Sequence, residues 1–377
     1  MKNNEKLSNK LIKLLLISSI IYGLMGIPFW TIALESTYSV PNARYGHAMV
    51  YDESNRQVIL FGGSAANQWG SDLSDTWIFN CTSNTWVKLD TASHPSRRSD
   101  HSMVYDSINQ QLILFGGWSP DTWIFDLQSK QWTEITTANH PAARRSAGMY
   151  FDPVNEKAVL FGGYLNNDSH AGDMWIFDPV DYTWTEIFPS SKPVARYGHS
   201  LVYDSVNQLA LLFGGRVTAL QSETWAYNYS SNSWTLLQPT QKPKARYWHD
   251  VVFDTNQGRM ILFGGDDEGP GRSRNDIWTF NPKTTQWTEI FPVTQPIPRT
   301  NHKMVYDSLN QRIILFGGLG NDFSDSYNDT WTFDCLNDNW TELSENSDTN
   351  STSGFELLLV TSVVVALSFI KLRKKIE

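Results

Sequence analysis

Five histidines, His47, His101, His199, His249 and His302, each stand three residues after an arginine, and a set of that size is the first place to look for a metal centre. Their spacing argues against one. No two are close in the chain, and nothing of HExxH or CxxC form accompanies them, so each belongs to its own copy of a longer unit. The same holds for Arg44, Arg98, Arg144, Arg196, Arg246 and Arg299, and for the acids Asp75, Asp121, Asp173, Glu223, Asp276 and Asp329. Charges recurring at one place in every copy are read as struts: Arg-carboxylate pairs and histidine hydrogen bonds that pin strands. Chemistry is then sought where the pattern breaks. Trp69, Trp118 and Trp248 are tryptophans the pattern does not require, and the third copy carries Ala147 where the others have histidine. With Tyr164, Arg216, Arg272, Arg274, Phe323 and Tyr327 in neighbouring loops, they suggest an aromatic platform for a glycan or a partner protein. The alternative is that each Trp packs its own loop.

The elements that position these residues follow from fixed distances. Double glycines recur at Gly62-Gly63, Gly116-Gly117, Gly162-Gly163, Gly214-Gly215, Gly264-Gly265 and Gly317-Gly318; each first glycine follows the arginine by 18 residues and an aspartate by 10. A Trp pair nine residues apart follows in every copy, and twelve residues separate its second Trp from the next arginine. Only the interval from double glycine to Trp pair varies, from 7 residues in the second copy to 15 in the first, so that interval is a loop. Runs such as "HSMVYD", "QLILFGG", "DTWIFD" and "QWTEI" are rich in strand formers and separated by Asp/Ser/Asn/Pro turns, which predicts a four-stranded antiparallel meander per copy. Near-continuous apolar strands need cover on both faces, and about 50 residues cannot supply it alone. Radial packing of six such sheets does, giving a six-bladed β-propeller.

At this point the sequence resembles kelch-repeat proteins, whose copies carry a double glycine, then an aromatic, usually Tyr, and a Trp seven residues further on. Here the aromatic is Phe79, Phe125, Phe177, Tyr227, Phe280 or Phe333, so five copies depart from Tyr while keeping the spacing. The resemblance covers residues 44–343 and implies a fold rather than a reaction, since the family hosts both binding modules and oxidases. Copper oxidases of kelch type use a Tyr crosslinked to a Cys, and neither Cys81 nor Cys335 lies near the channel end of a first strand.

The ends read differently. Residues 1–34 place Lys2, Lys6, Lys10 and Lys13 before an uncharged run from residue 14 to 34, the pattern of a signal peptide or signal anchor. Residues 344–353 form a polar linker; residues 354–377 hold an apolar run from Phe355 to Ile370 and a basic tail, the pattern of a transmembrane or sorting segment. The basic flanks put both tips in the cytoplasm and the propeller at the cell surface, membrane-anchored. The tails hold eight of the 30 basic and three of the 39 acidic residues, leaving a charge of -14 on the exported part and arguing against nucleic acid as partner. Cys81 and Cys335 occupy equivalent places in blades one and six, which are too far apart there for a disulfide.

The variable loops share one rim, the default binding face on a rigid frame. Acidic stretches at Asp266 ("DDEG") and Asn321 ("NDFSDSYND") lack a calcium-loop spacing and read as solvated charge. No nucleophile elbow, P-loop or dinucleotide motif is present, and no cofactor is expected. The sequence thus predicts a monomeric, non-catalytic recognition module, with a carbohydrate-active enzyme or a structural envelope protein as the alternatives.

Overall fold

The computed structural model describes residues 40–65, 71–269, 271–321 and 325–343; the signal, linker and C-terminal segments expected at 1–34, 344–353 and 354–377 lie outside the described residues. Six four-stranded antiparallel sheets follow one another along the chain, each with its strands in chain order; in blade 3 the short strand Tyr164–Leu165, paired with Arg144–Arg145, interrupts the run. In blade 1 the four strands are Ala48–Asp52, Gln57–Phe61, Thr76–Asn80 and Thr85–Leu89. The first strands pack side by side in a closed circle around the axis, with the sixth beside the first. Among the described residues, no strand is exchanged at the closure. Blades 6 and 1 are joined instead by Arg44 N–H to Tyr327 O, Gly318 N–H to Arg44 O, and the Arg312 guanidinium to Cys81 O.

The second strand of each blade carries a four-residue apolar run, such as Val58, Ile59, Leu60 and Phe61, that is wholly buried. Its last residue makes the joint to the next blade. Phe61 takes the edge of His101 at 5.5 Å and the indole of Trp132 at 5.0 Å, both from blade 2. Phe161, Phe213, Phe263 and Phe316 repeat this with His199, His249, His302 and His47. The second Trp of each pair therefore lies between blades, and in four of them its indole N–H reaches a threonine of the preceding blade. Trp132 to Thr76, at 3.0 Å, is representative. At the equivalent places Met174 and Ile277 replace threonine, and the indoles of Trp234 and Trp340 have no partner among the described residues.

The double glycine is required by contact as well as conformation. Gly62 has φ +64°, and a Cβ there would stand 2.8 Å from the Arg98 carbonyl of blade 2. Above it the repeat arginine is clamped: Arg44 Nη1 donates to Gly62 O at 2.9 Å and to Asp75 Oδ1 at 2.7 Å, while the Trp77 indole holds Asp75 Oδ2 at 2.7 Å. Equivalent pairs recur in all six blades. Burial opposes ionisation of Asp75, yet the Arg44 hydrogen bonds and charge outweigh it and hold the carboxyl below its usual range. These pairs are the struts expected from their spacing. The acid ten residues before the double glycine caps the turn between first and second strands, as Asp52 does for Asn55 and Gln57.

The histidines differ from expectation. All five are buried, but none of their ring nitrogens has a hydrogen-bond partner among the described residues; they brace the blades by edge contact with phenylalanine rather than by hydrogen bonds.

Candidate functional site

Strand register assigns the ends of the propeller. Ala48 pairs with Phe61, Phe61 with Thr76 and Thr76 with Leu89, so these four ends share the rim that carries the variable loops. The connection to the next blade first runs along that blade's outer strand, where Ser93 donates to Trp132 O, and only then reaches the rim. On the rim, two positions recur: the residue after each repeat arginine and the residue after each double glycine. In five blades they face each other across a short bridge, as Arg145 does Tyr164, Tyr197 does Arg216 and Tyr247 does Asp266. In blade 2, Trp118 follows the double glycine, and its N–H turns to Arg144 O.

These positions assemble an aromatic arc over blades 2 to 5. The Arg145 guanidinium lies over Trp118, 4.5 Å from the ring centroid, and over Tyr164 at 5.3 Å. Tyr164 meets Tyr197 at 5.0 Å, His170 fills the angle between them, and Tyr197 meets Tyr247 at 6.1 Å. Tyr247 stacks on Trp248 at 4.2 Å, with the Arg216 guanidinium over the Tyr247 ring at 5.6 Å and paired to Glu268. Burial pushes the Tyr247 hydroxyl up to about 12, so it is a neutral donor. Arg145 differs from the six strut arginines. Its nearest carboxylate among the described residues is Asp100, 4.0 Å away, and its side chain is 35% exposed, which leaves the guanidinium fork open to an incoming group.

Two backbone features single out the tryptophans. Trp118 has φ +71° and Trp248 φ +53°, the left-handed region that bulky side chains avoid. At the position of Trp248 the other blades carry Gly46, Asp100, Ser146, Gly198 and Asn301, all left-handed as well. These six residues form a closed circle in which each N–H donates to the carbonyl of the equivalent residue in the preceding blade, over 2.7 to 3.0 Å. The fold demands the conformation, and only blade 5 meets it with a tryptophan. Its indole passes over Gly198 and donates to Ser146 Oγ at 3.3 Å, while the Asp100 carboxylate lies over Gly46 and accepts from Asn301 Nδ2 at 2.9 Å. Below this crossing lies an axial cavity of about 40 Å³ lined by the five histidines, Asp100, Ser146, Asn301 and Lys303 among others. Among the described residues, no three His, Cys, Asp or Glu side chains come close enough to hold a metal ion.

Of the residues singled out in the sequence, Trp118, Tyr164, Arg216 and Trp248 belong to this arc. Arg272 and Arg274 do not; they pair with Asp266 and Asp267 inside the loop of blade 5. Tyr327 lies over Arg299 at 4.7 Å and its backbone joins the blade 6–1 closure. Trp69 and Phe323 lie outside the described residues. The structure adds Arg145, Tyr197 and Tyr247, which a register of residues next to each repeat arginine would have listed, and His170 from the loop of blade 3.

A family model described as the KLHDC2/KLHL20/DRC7 kelch-repeats domain matches residues 29–215 and 203–365. Among curated proteins, Mei4-dependent protein 6 of Schizosaccharomyces pombe is 34% identical over 77 residues, 20% of this chain and 10% of that protein. Dynein regulatory complex subunit 7 of Chlamydomonas reinhardtii is 33% identical over 78 residues, 20% of this chain and 6% of that protein. The chain thus covers a tenth or less of these relatives' lengths.

Proposed function

Because the chain belongs to the kelch-repeat propeller family, whose frame presents loops without fixing a reaction, we propose that it is a non-catalytic recognition module whose partner docks on the arc of blades 2 to 5. The observation that carries this reading is the pair of tryptophans held at positive φ beside an open arginine fork. Backbone strain of order 1–3 kcal/mol is tolerated where the surroundings enforce it, and such positions cluster at binding sites. Trp, Tyr and Arg are also the residues that dominate interface energies. The partner fitting this surface is a protein that offers an apolar or aromatic side chain to the rings and an acidic group to Arg145, which a guanidinium receives bidentately.

The test compares proteins captured from the native source by the immobilised full chain and by an Arg145→Ala/Trp118→Ala variant. A partner bound by the first and lost by the second supports the reading. Unchanged capture sinks it, and capture of glycans in place of proteins assigns the arc to a sugar.

The proposal extends to location. The uncharged run of residues 14–34 and the apolar run of Phe355–Ile370, each flanked by basic residues on its outer side, support an exported propeller held at the membrane by its ends. Protease added to intact cells should then cut within residues 344–353 and release the propeller. Full protection in intact, protease-accessible cells would refute export.

A further inference from the structure

The outer edge of the propeller carries an apolar group that neither the struts nor the arc uses. The connection from blade 5 to blade 6, residues 291–298, holds no charged residue and exposes Phe291 at 81%, Val293 at 94% and Ile297 at 53%. It is held fast on the outer strand of blade 6: the Val293 and Thr294 N–H groups donate to Asn339 Oδ1 at 3.1 and 3.2 Å, and the Thr294 hydroxyl donates to Trp340 O at 2.6 Å. Leu336, 68% exposed, stands three residues before Asn339. Among the other connections between blades, the one from blade 3 to blade 4 exposes Phe188 and Val194 with Lys192 between them, and the remaining three expose no large apolar side chain. Single exposed apolar residues are ordinary, whereas a group fixed on one edge marks a contact. We propose that this edge is a membrane-contact site, at which Phe291, Val293, Ile297 and Leu336 enter the headgroup boundary of a bilayer. The proposal rests on the tethering by both ends proposed above and adds how the propeller lies against the membrane.

The chain leaves the propeller beside this edge. Val40 and Leu343, the two ends of the described chain, pack against one core cluster at the junction of blades 6 and 1. Leu343 ends the five-residue strand whose first two residues, Asn339 and Trp340, receive the connection, so exit and apolar group lie within roughly 15 Å. The uncharged run of residues 14–34 ends six positions before Val40, a reach of at most ~20 Å, and the apolar run from Phe355 begins twelve after Leu343, at most ~40 Å. Tethers of that length keep the edge of blades 6 and 1 close to the bilayer. Charge selects the mode of contact. At -14 the exported part is repelled by an anionic lipid surface, so adhesion through basic residues is closed to it and an uncharged apolar edge is the means left. Asp338, between Leu336 and Asn339, is paired with Arg259 at 2.8 Å.

The test uses the full chain reconstituted in phosphatidylcholine vesicles, with an environment-sensitive nitrobenzoxadiazole dye on Phe291→Cys. Phe188→Cys, the same place in the connection from blade 3 to blade 4, is the control, and brief labelling spares the buried Cys81 and Cys335. Interfacial side chains lie about 5–10 Å deep, so the dye at position 291 should emit to the blue and be quenched at least about twofold more by lipids with a nitroxide near the top of the acyl chain than near its end. At position 188 it should emit as in water. Equal behaviour of the two positions, in a chain that floats with the vesicles, overturns the contact and leaves the tether standing. A blue shift at 291 without nitroxide quenching assigns the edge to a second copy or another protein, and overturns it too. A chain that does not float with the vesicles refutes tether and contact together.

Discussion

Lowering the pH from 7 to 5 should strip about 10 kcal/mol from the stability of this propeller before its carboxylates protonate. Burial, reinforced by the adjacent strut arginine, pushes all five ring imidazoles below their ordinary value of 6.5, His199 to about 3. The unfolded chain takes up five protons near pH 6.5 that the folded ring refuses. This stability is complete above pH 6.5 and lost as pH falls toward the folded values. Between those limits each histidine contributes about 1.4 kcal/mol per pH unit, hence about 7 for the ring. A domain with a stability of roughly 5–15 kcal/mol would then be near its midpoint between about pH 4.3 and 6. The strut acids Asp75, Asp121, Asp173, Asp276 and Glu223 are held below their ordinary values, so they add acid lability only below about pH 4. Urea unfolding followed by Trp fluorescence at a series of pH values yields the proton uptake as a slope. It should approach five protons in the native sequence and four in His101→Phe, where the new ring keeps its contact with Phe61. A free energy constant within ~1 kcal/mol between pH 7 and 5.5 would show that the folded ring protonates freely, and would refute the reasoning.

Thr76→Val keeps the shape of a fully buried side chain but strands the Trp132 indole N–H; it should cost about 1–3 kcal/mol in denaturant titration, with a neutral result contradicting the inter-blade role. Trp248→Gly supplies the residue type that blades 1 and 4 use at the same left-handed position; melting should shift by no more than a few degrees while partner capture falls about tenfold or more, the loss of a typical hot spot. Burial pushes the thiols of Cys81 and Cys335 up to about 12. Both are free; the native chain should label slowly at pH 8, and the denatured, unreduced chain should give two thiols, fewer indicating a bridge.

Blade number, strand order and the strut pairs were legible because one-dimensional spacing encodes them: a double glycine always 18 residues from its arginine places Arg44 Nη1 against Gly62 O in blade 1 and repeats the bond five times. Contacts between blades were less legible. Spacing within a copy does not reveal that Phe61 receives His101 and Trp132 from the next copy, so the histidines looked like hydrogen-bonding struts. The same limit governs the rim. A search for surplus tryptophans found Trp118 and Trp248 but passed over Arg145, whose place over Trp118 depends on adjacency of blades 2 and 3. Arg272 and Arg274 were drawn in by type alone, although acids in their own loop satisfy them.

The account's central claim is that the arc, and not the opposite rim, meets the partner. Photocrosslinking in intact cells of the native source tests it most directly, with a benzophenone amino acid placed at Trp118 in one strain and at Ile108, an exposed position in the turn between first and second strands on the far rim, in another. The predicted result is a discrete adduct from position 118 that Arg145→Ala abolishes, with none from position 108. The same adduct from position 108, or none from 118 while 108 gives one, would contradict the account.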